Sequence, residues 1–413
     1  MTRNSDEAML SASPLRAPGT ELHWRDDGAR RALILKDRTL GRYHRVSTGS
    51  AWVWLLCDGR RTVASIAERI AAKGGPTDEK NVISIVRHLA GRRFVQGVPV
   101  DVRPPRPHAR GFGAACRRVL TWRVTFSRVD PLMTWLYCHI GYLAFKRTAR
   151  LLAIALMTSG LVAFLVALPS TPNPFAPLLG PRGWYFPFFL FACVMQHEMA
   201  HAMTTKHFAR EIIGLGFGWF WLGPLFYVDT SDMWLGSRKE RILVSLAGAA
   251  SDLTIAGACS LIALFTESPV SSWAFAIAAT LYWLVLGNMS PLLEFDGYYV
   301  LADLLDRPDL RRQSLNWLWG RSAWRSMTWD AIRQHRIEFL YGVGSLIYAA
   351  CLLIVGAHFN YAFFGGILGR AAGDMAAALT WLVTLLLMLI LSFALINDVQ
   401  RLRNSSSSGN DLR

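Results

Sequence analysis

Cysteine is scarce in this chain and poorly placed for bridging. The six cysteines (Cys57, Cys116, Cys138, Cys193, Cys259 and Cys351) are scattered, with no C-x-x-C pair. Three of them fall within apolar runs, which argues against a disulfide framework and against a cysteine zinc site. Charge is thin as well: Asp, Glu, Lys and Arg make up 18% of the 413 residues, against 52% hydrophobic residues and a mean hydropathy of +0.26. A chain so apolar is not an ordinary soluble protein and reads as a polytopic membrane protein with an attached soluble part. Acid is the scarcer sign, 29 residues against 44 basic ones, for a formal charge of +15. Such an excess can suggest nucleic acid, but in a membrane chain it fits basic cytoplasmic loops beside anionic lipid. No cleavable signal peptide is visible, because Met1 to Thr20 lacks an apolar core. That polar stretch of mixed charge reads as a disordered tail.

Residues 21–100 read as a small soluble α+β domain. Alternation around Arg31-Ala-Leu-Ile-Leu-Lys36 and Gly41-Arg-Tyr-His-Arg-Val46 predicts a hairpin turning at Asp37-Arg38. Ser50 to Leu56 predicts a short apolar helix stopped by Asp58-Gly59. Thr62 can cap an amphipathic helix from Val63 to Ala72, and Asp78 to Arg92 predicts another. Strands followed by three short helices resemble a winged helix-turn-helix. More closely, Tyr43, Gly49-Ser-Ala-Trp52, Asp58-Gly-Arg-Arg-Thr-Val63 and Ile66-Ala67 resemble PqqD-like domains. That resemblance implies binding of a leader peptide from a ribosomally made precursor, added as a strand beside residues 41–46 and packed on residues 80–93. A DNA-binding winged helix is the competing reading. The apolar Trp52-Val-Trp54 run reads as core rather than as a groove-reading surface, so no nucleic acid is expected.

Beyond a Pro/Arg-rich linker (Val102 to Arg110), residues 111–148 mix Trp, Tyr and Arg as interfacial helices do. Apolar runs follow at 149–168, 184–204, 240–265, 271–291, 336–358 and 374–397, each near the ~20 residues that cross hydrocarbon. Six spans put both termini on one side. With the soluble domain inside, the outer loops 169–183, 266–270 and 359–373 hold only Arg182 and Arg370 as basic residues. Arg238-Lys-Glu-Arg241, the arginine-rich 303–335 loop and Arg401-Leu-Arg403 lie inside. This asymmetry places both termini in the cytoplasm. Ser405 to Arg413 reads as a flexible tail.

Inside the second run stands His197-Glu-Met-Ala-His201, an H-E-x-x-H pattern. Residues four apart on a helix lie one turn above each other, so both imidazoles can face one metal ion. Glu198, offset by one position, can reach water at that metal as a general base. Ionisable groups inside a membrane run mark functional sites by default.

A catalytic zinc commonly takes three protein ligands and leaves one position open. His207 is one candidate third ligand, but Thr204 stands where a helix-breaking glycine would be needed to swing it toward the metal, so it reads as interfacial. Asp296 is the other, in Asn288-Met-Ser-Pro291-Leu-Leu-Glu-Phe-Asp296-Gly297. The H-E-x-x-H and the N-x-x-P followed by D-G together resemble the site-2 protease family of intramembrane metalloproteases, and most closely the bacterial peptide zinc metalloproteases. Phe226 to Trp234, Val244-Ser-Leu-Ala-Gly248 and Phe295 to Tyr299 extend that resemblance over about residues 184–315. It implies Zn²⁺ held by His197, His201 and Asp296, with Glu198 as base and Asn288 positioning the substrate. Phe295 departs from the family's usual Leu.

Three further features are read from the residues. The Gly- and aromatic-rich stretch Glu211 to Tyr227 is either a membrane-embedded hairpin able to hold an extended substrate or an interfacial loop. Asp252 either supports a zinc histidine or lines a polar cavity. Asp229 and Asp232 read as solvated interfacial charges. The expected fold is therefore mainly α: a six-span helical membrane protein with a small N-terminal α+β, winged-helix-like cytoplasmic domain. Its expected parts are a tail (1–20), a PqqD-like domain (21–100), a linker and interfacial helix (101–148), a metalloprotease domain (149–397) and a second tail (398–413). The expected partners are a precursor-peptide substrate and the lipid bilayer of a bacterial inner membrane.

Overall fold

The computed structural model describes residues 2–26, 31–38, 41–72, 79–99, 123–171, 173–179, 185–220, 223–307, 309–319, 328–372 and 381. The chain divides into two units. The first is Met1–Arg150, Val194–Gly218 and Pro224–Val244; the second is Leu151–Cys193, Trp219–Gly223 and Ser245–Arg413.

The expected disordered tail, residues 1–20, carries helix α1 (Thr2–Ser11) and strand β1 (Leu15–Arg16) among its described residues, 2–20. Met9 is 1% exposed within the core of the following domain. The backbone N–H groups of Gly59 and Val63 donate to the carbonyls of Pro14 (2.8 Å) and Ala12 (3.0 Å). The stretch is too polar to fold alone, but a few apolar side chains and these tertiary hydrogen bonds order it.

The expected hairpin forms. Strand β3 (Arg31–Asp37) pairs antiparallel with β4 (Arg42–Val46), with Lys36 opposite Tyr43 and Leu35 opposite His44. Gly41 sits in its turn at φ +58, a left-handed value that only glycine takes without steric cost. A further strand, β2 (Thr20–Asp26), pairs with the other side of β3, so β4 remains an edge of a sheet ordered β2-β3-β4. Helices α2 (Thr48–Leu56), α3 (Val63–Ala71) and α4 (Glu79–Gly91) follow where predicted. Thr62 caps α3, its hydroxyl accepting from the Ser65 N–H at 3.2 Å. Leu33 and Leu35 of β3 pack with Val53, Val63, Val82 and Val86 of the helices in one core. The short strand β5 (Val95–Gln96) closes the domain against β1.

Successive strand residues point to opposite faces, so Ile34 and Lys36 lie on the far side of the sheet from that core. This second face is also buried, with Ile34 2% and Lys36 5% exposed. It packs on the 3-10 turn Ser231–Leu235. Asp232 is therefore corrected: it is not a solvated interfacial charge but is 3% exposed. Its carboxylate is surrounded by donors from Lys36 and Tyr43, which makes its burial tolerable. Asp229 is half-buried and accepts from the Ser231 N–H.

The stretch expected to be linker and interfacial helix contains a strand, β6 (Arg123–Ser127), and helix α5 (Asp130–His139). Strand β6 pairs antiparallel with β7 (Gly214–Phe220), which is followed by β8 (Gly223–Asp229) in a sheet ordered β6-β7-β8. The glycine-rich stretch is thus a β-hairpin. Gly214, Gly216 and Gly218 alternate with Leu215, Phe217 and Trp219 at the period of a strand, and Gly216 gives room: a Cβ there would meet the Val124 carbonyl at 2.5 Å. The Pro/Arg linker lies outside the described residues.

The later helices are α6 (Arg147–Ala167), α7 (Ala176–Leu179), α8 (Phe186–His207), α9 (Arg238–Phe265), α10 (Val270–Asn288), α11 (Asp296–Leu304), α12 (Leu310–Trp319), α13 (Trp329–Gln334) and α14 (Arg336–Ala372). The chain is mainly helical. Among the described residues, three helices are long and apolar enough to cross a membrane: Arg147–Ser170, Arg238–Phe265 and Val270–Asn288. They coincide with the first, third and fourth expected spans. The second falls on α8, the fifth on α14, and the sixth, apart from residue 381, lies outside the described residues. In the second unit α6 meets α9 at Gly160, where a Cβ would stand 2.1 Å from the Gly257 Cα. Two small residues let these backbones touch, as in membrane helix pairs.

Candidate metal centre

The H-E-x-x-H run lies on α8, in the part belonging to the first unit. One helical turn brings the Nε2 atoms of His197 and His201 to 3.1 Å. Nδ1 of His201 is 2.6 Å from the Val244 carbonyl oxygen. A carbonyl only accepts, so that nitrogen carries the proton and Nε2 keeps its lone pair. His201 is 7% exposed. Ligand atoms of His197, Glu198 and His201 all lie within 4.8 Å of one another. Two imidazoles and a carboxylate, with one ring's tautomer fixed by a backbone acceptor, match the donor chemistry of a zinc site.

Glu198 is oriented from another element. Its Oε2 accepts the Val228 N–H at 3.0 Å, so strand β8 holds the carboxylate. Neither Val228 nor Val244 could be singled out as a contact from sequence, because both act through backbone groups that every residue carries. Both do lie in runs on which the family resemblance rests, Phe226 to Trp234 and Val244 to Gly248.

Asn288 and Asp296 belong to the second unit. Asn288 ends α10 and Asp296 begins α11. The loop between them folds back so that Asn288 Nδ2 donates to Asp296 Oδ2 at 2.6 Å. The next residue has to be small: a Cβ on Gly297 would sit 2.2 Å from the Met289 carbonyl oxygen. The D-G pair therefore has a local steric reason.

His207 is engaged elsewhere. Its Nδ1 hydrogen-bonds the Tyr137 hydroxyl at 2.8 Å, and its ring stacks on Phe145 with centroids 4.0 Å apart. Asp252 lies within α9 at 5% exposure.

Comparison with known proteins matches residues 31–95 to the family described as Coenzyme PQQ synthesis protein D (PqqD). The chain is also 32% identical over 129 residues to a protein of Bacillus subtilis (strain 168) named "Putative peptide zinc metalloprotease protein YydH". That alignment covers 30% of this chain and 50% of the relative, so the chain spans about half the length of the curated relative it matches. No solved structure matches. One segment of the chain is thus similar to PqqD, and 129 residues are similar to a protein named as a peptide zinc metalloprotease.

Proposed function

We propose that the chain is an integral-membrane zinc endopeptidase of the site-2 protease type, which cleaves a peptide recruited by its PqqD-matching segment. The observation that carries this reading is the His197–Glu198–His201 group, its donor atoms within 4.8 Å of one another and the His201 Nδ1 proton tied to Val244. In this reading His197 and His201 hold the ion through nitrogen, and Asp296 supplies the third protein ligand. When bound, zinc polarises the scissile carbonyl and lowers the pKa of water toward ~7. Glu198 takes a proton from the attacking water onto a carboxylate oxygen and passes it to the leaving amine nitrogen as the amide C–N bond breaks. The Val228 N–H keeps that carboxylate aimed. Asn288, paired with Asp296, positions the substrate backbone.

The substrate in this reading is a ribosomally made natural-product precursor whose leader adds as a strand to the edge of β4. Six spans, both termini in the cytoplasm and a bacterial inner membrane complete the proposal, as do the domain limits 21–100 and 149–397. Glu198→Gln tests it, since that change keeps the residue's size and removes the base. Zinc content measured on the purified variant should equal that of the wild type, with peptide cleavage nearly abolished. Wild-type turnover in Glu198→Gln would refute the assignment of the base.

A further inference from the structure

The middle strand of the N-terminal sheet, β3, is buried on both sides, Leu33 and Leu35 in the domain core and Ile34 and Lys36 on the opposite face. The second face is closed by Glu211, Ile213 and the turn Ser231–Leu235, and the centre of that closure is polar. Lys36, on the middle strand β3, donates to Asp232 Oδ1 and to Glu211 Oε2, each at 2.8 Å. Tyr43, on β4, donates to the same Asp232 oxygen at 2.7 Å. The other oxygen, Oδ2, accepts the Glu211 N–H at 3.1 Å. Arg25 of β2 donates to the Trp234 carbonyl at 3.1 Å. The tip of the β3–β4 hairpin also touches this surface: a Cβ on Gly41 would lie 3.0 Å from Ile213.

These contacts lead to the candidate metal centre. Glu211 precedes β7 and Asp232 follows β8, so Lys36 ties both ends of that hairpin to the sheet. Four residues before Asp232 stands Val228, whose N–H holds Glu198. On the other side, Tyr43 lies on the edge strand, whose outer side pairs with no other strand among the described residues. Burial opposes the charge on both ionised partners, and their hydrogen bonds overcome it: Lys36 is held above its ordinary value and Asp232 below.

We infer that Lys36, Tyr43 and Asp232 form a positioning latch, which fixes the β4 edge to the strand that orients Glu198, so that a peptide held on β4 reaches the H-E-x-x-H group in one register. The inference rests on the function proposed above and extends it. None of the three is a catalytic residue; each acts through the hairpin. Removing the lysine leaves a buried carboxylate without its main counter-charge, which is costly.

The test uses the full chain, zinc-loaded in detergent, as wild type, Lys36→Met and Tyr43→Phe. Amide hydrogen exchange over residues 41–46 and 226–236 needs no activity. It should rise in Lys36→Met by about tenfold or more, as for a buried pair that has lost one partner. The second readout is cleavage of a leader-bearing peptide selected from a synthetic library for binding to the full chain, with its leader and without it. The leader's advantage in kcat/KM should fall about tenfold or more through kcat, as misplacement predicts, while zinc content and leader affinity hold. Asp232→Asn guards against a folding defect, and Lys36→Asp together with Asp232→Lys should recover part of the advantage. Unchanged exchange overturns the latch, as does an equal loss for leaderless peptide. If the wild type cleaves neither peptide, the proposed function fails, and the exchange result still decides the latch.

Discussion

Acidification should loosen the contact between β4 and α4, and His44 sets the size of the effect. His44 faces the domain core from β4, with its Nε2 3.3 Å from Nε2 of His88 on α4 and its ring stacked on Phe94. Two such nitrogens can share one proton, one donating and one accepting, but cannot both carry one. Burial, then Arg92 and then His88, hold His44 down to about 4 from 6.5. His88 is lowered too, by burial and by Arg92. The unfolded chain therefore takes up the proton first, so stability is full above pH 6.5, falls as pH drops toward about 4 and levels off below that. At 1.36 kcal/mol per pH unit, the gap amounts to about 3 kcal/mol from His44. The assay is amide exchange over residues 42–46 and 79–91 of the full chain across pH 3.5–7.5, corrected for intrinsic rates. His44→Gln should flatten the profile. If His44→Gln keeps the wild-type slope, or the wild type is level between pH 4 and 6.5, the reasoning fails.

Other perturbations separate the remaining roles. His201→Ala and Asp296→Ala should each lose most of the bound zinc, whereas His207→Ala, whose ring is stacked on Phe145, should keep it. Elemental analysis decides this, and the reverse pattern would refute the ligand set. Gly257→Leu should force α6 and α9 apart, because even a Cβ there meets the Leu156 carbonyl oxygen at 2.1 Å. Overpacking costs about 1–3 kcal/mol, so the thermal midpoint of the purified protein should fall, and an unchanged midpoint would refute the close helix contact.

Much of the N-terminal domain was legible because its signals are local. Thr62 stands before an amphipathic run and caps it, and the short apolar run Ala32–Leu35 between Arg31 and Lys36 forms a strand. Strand β2 and helix α1 were not legible. Met9 and the backbone at Ala12 and Pro14 gain their stabilisation from residues some fifty positions away, and composition alone reads such a polar stretch as disordered. Strand β6 was hidden for a similar reason, since its partner β7 stands some ninety positions away in the chain.

At the candidate metal centre, the sequence by itself determined the donors: a four-residue spacing on a helix brings His197 and His201 together with no help from other elements, and an apolar run marks the polar residues within it. The fold decided how those donors are held. Val244 fixes the His201 tautomer and Val228 fixes Glu198, both through backbone groups that no side-chain pattern encodes. Asp232 shows the same division. Its charge, beside the polar Thr230 and Ser231, predicts a solvated residue, and only the packing of a distant sheet face, which brings Lys36 and Tyr43 within 2.8 Å, makes it a buried partner. Local spacing is written in the chain, whereas a long-range ion pair exists only once folding has met the entropy of bringing its ends together.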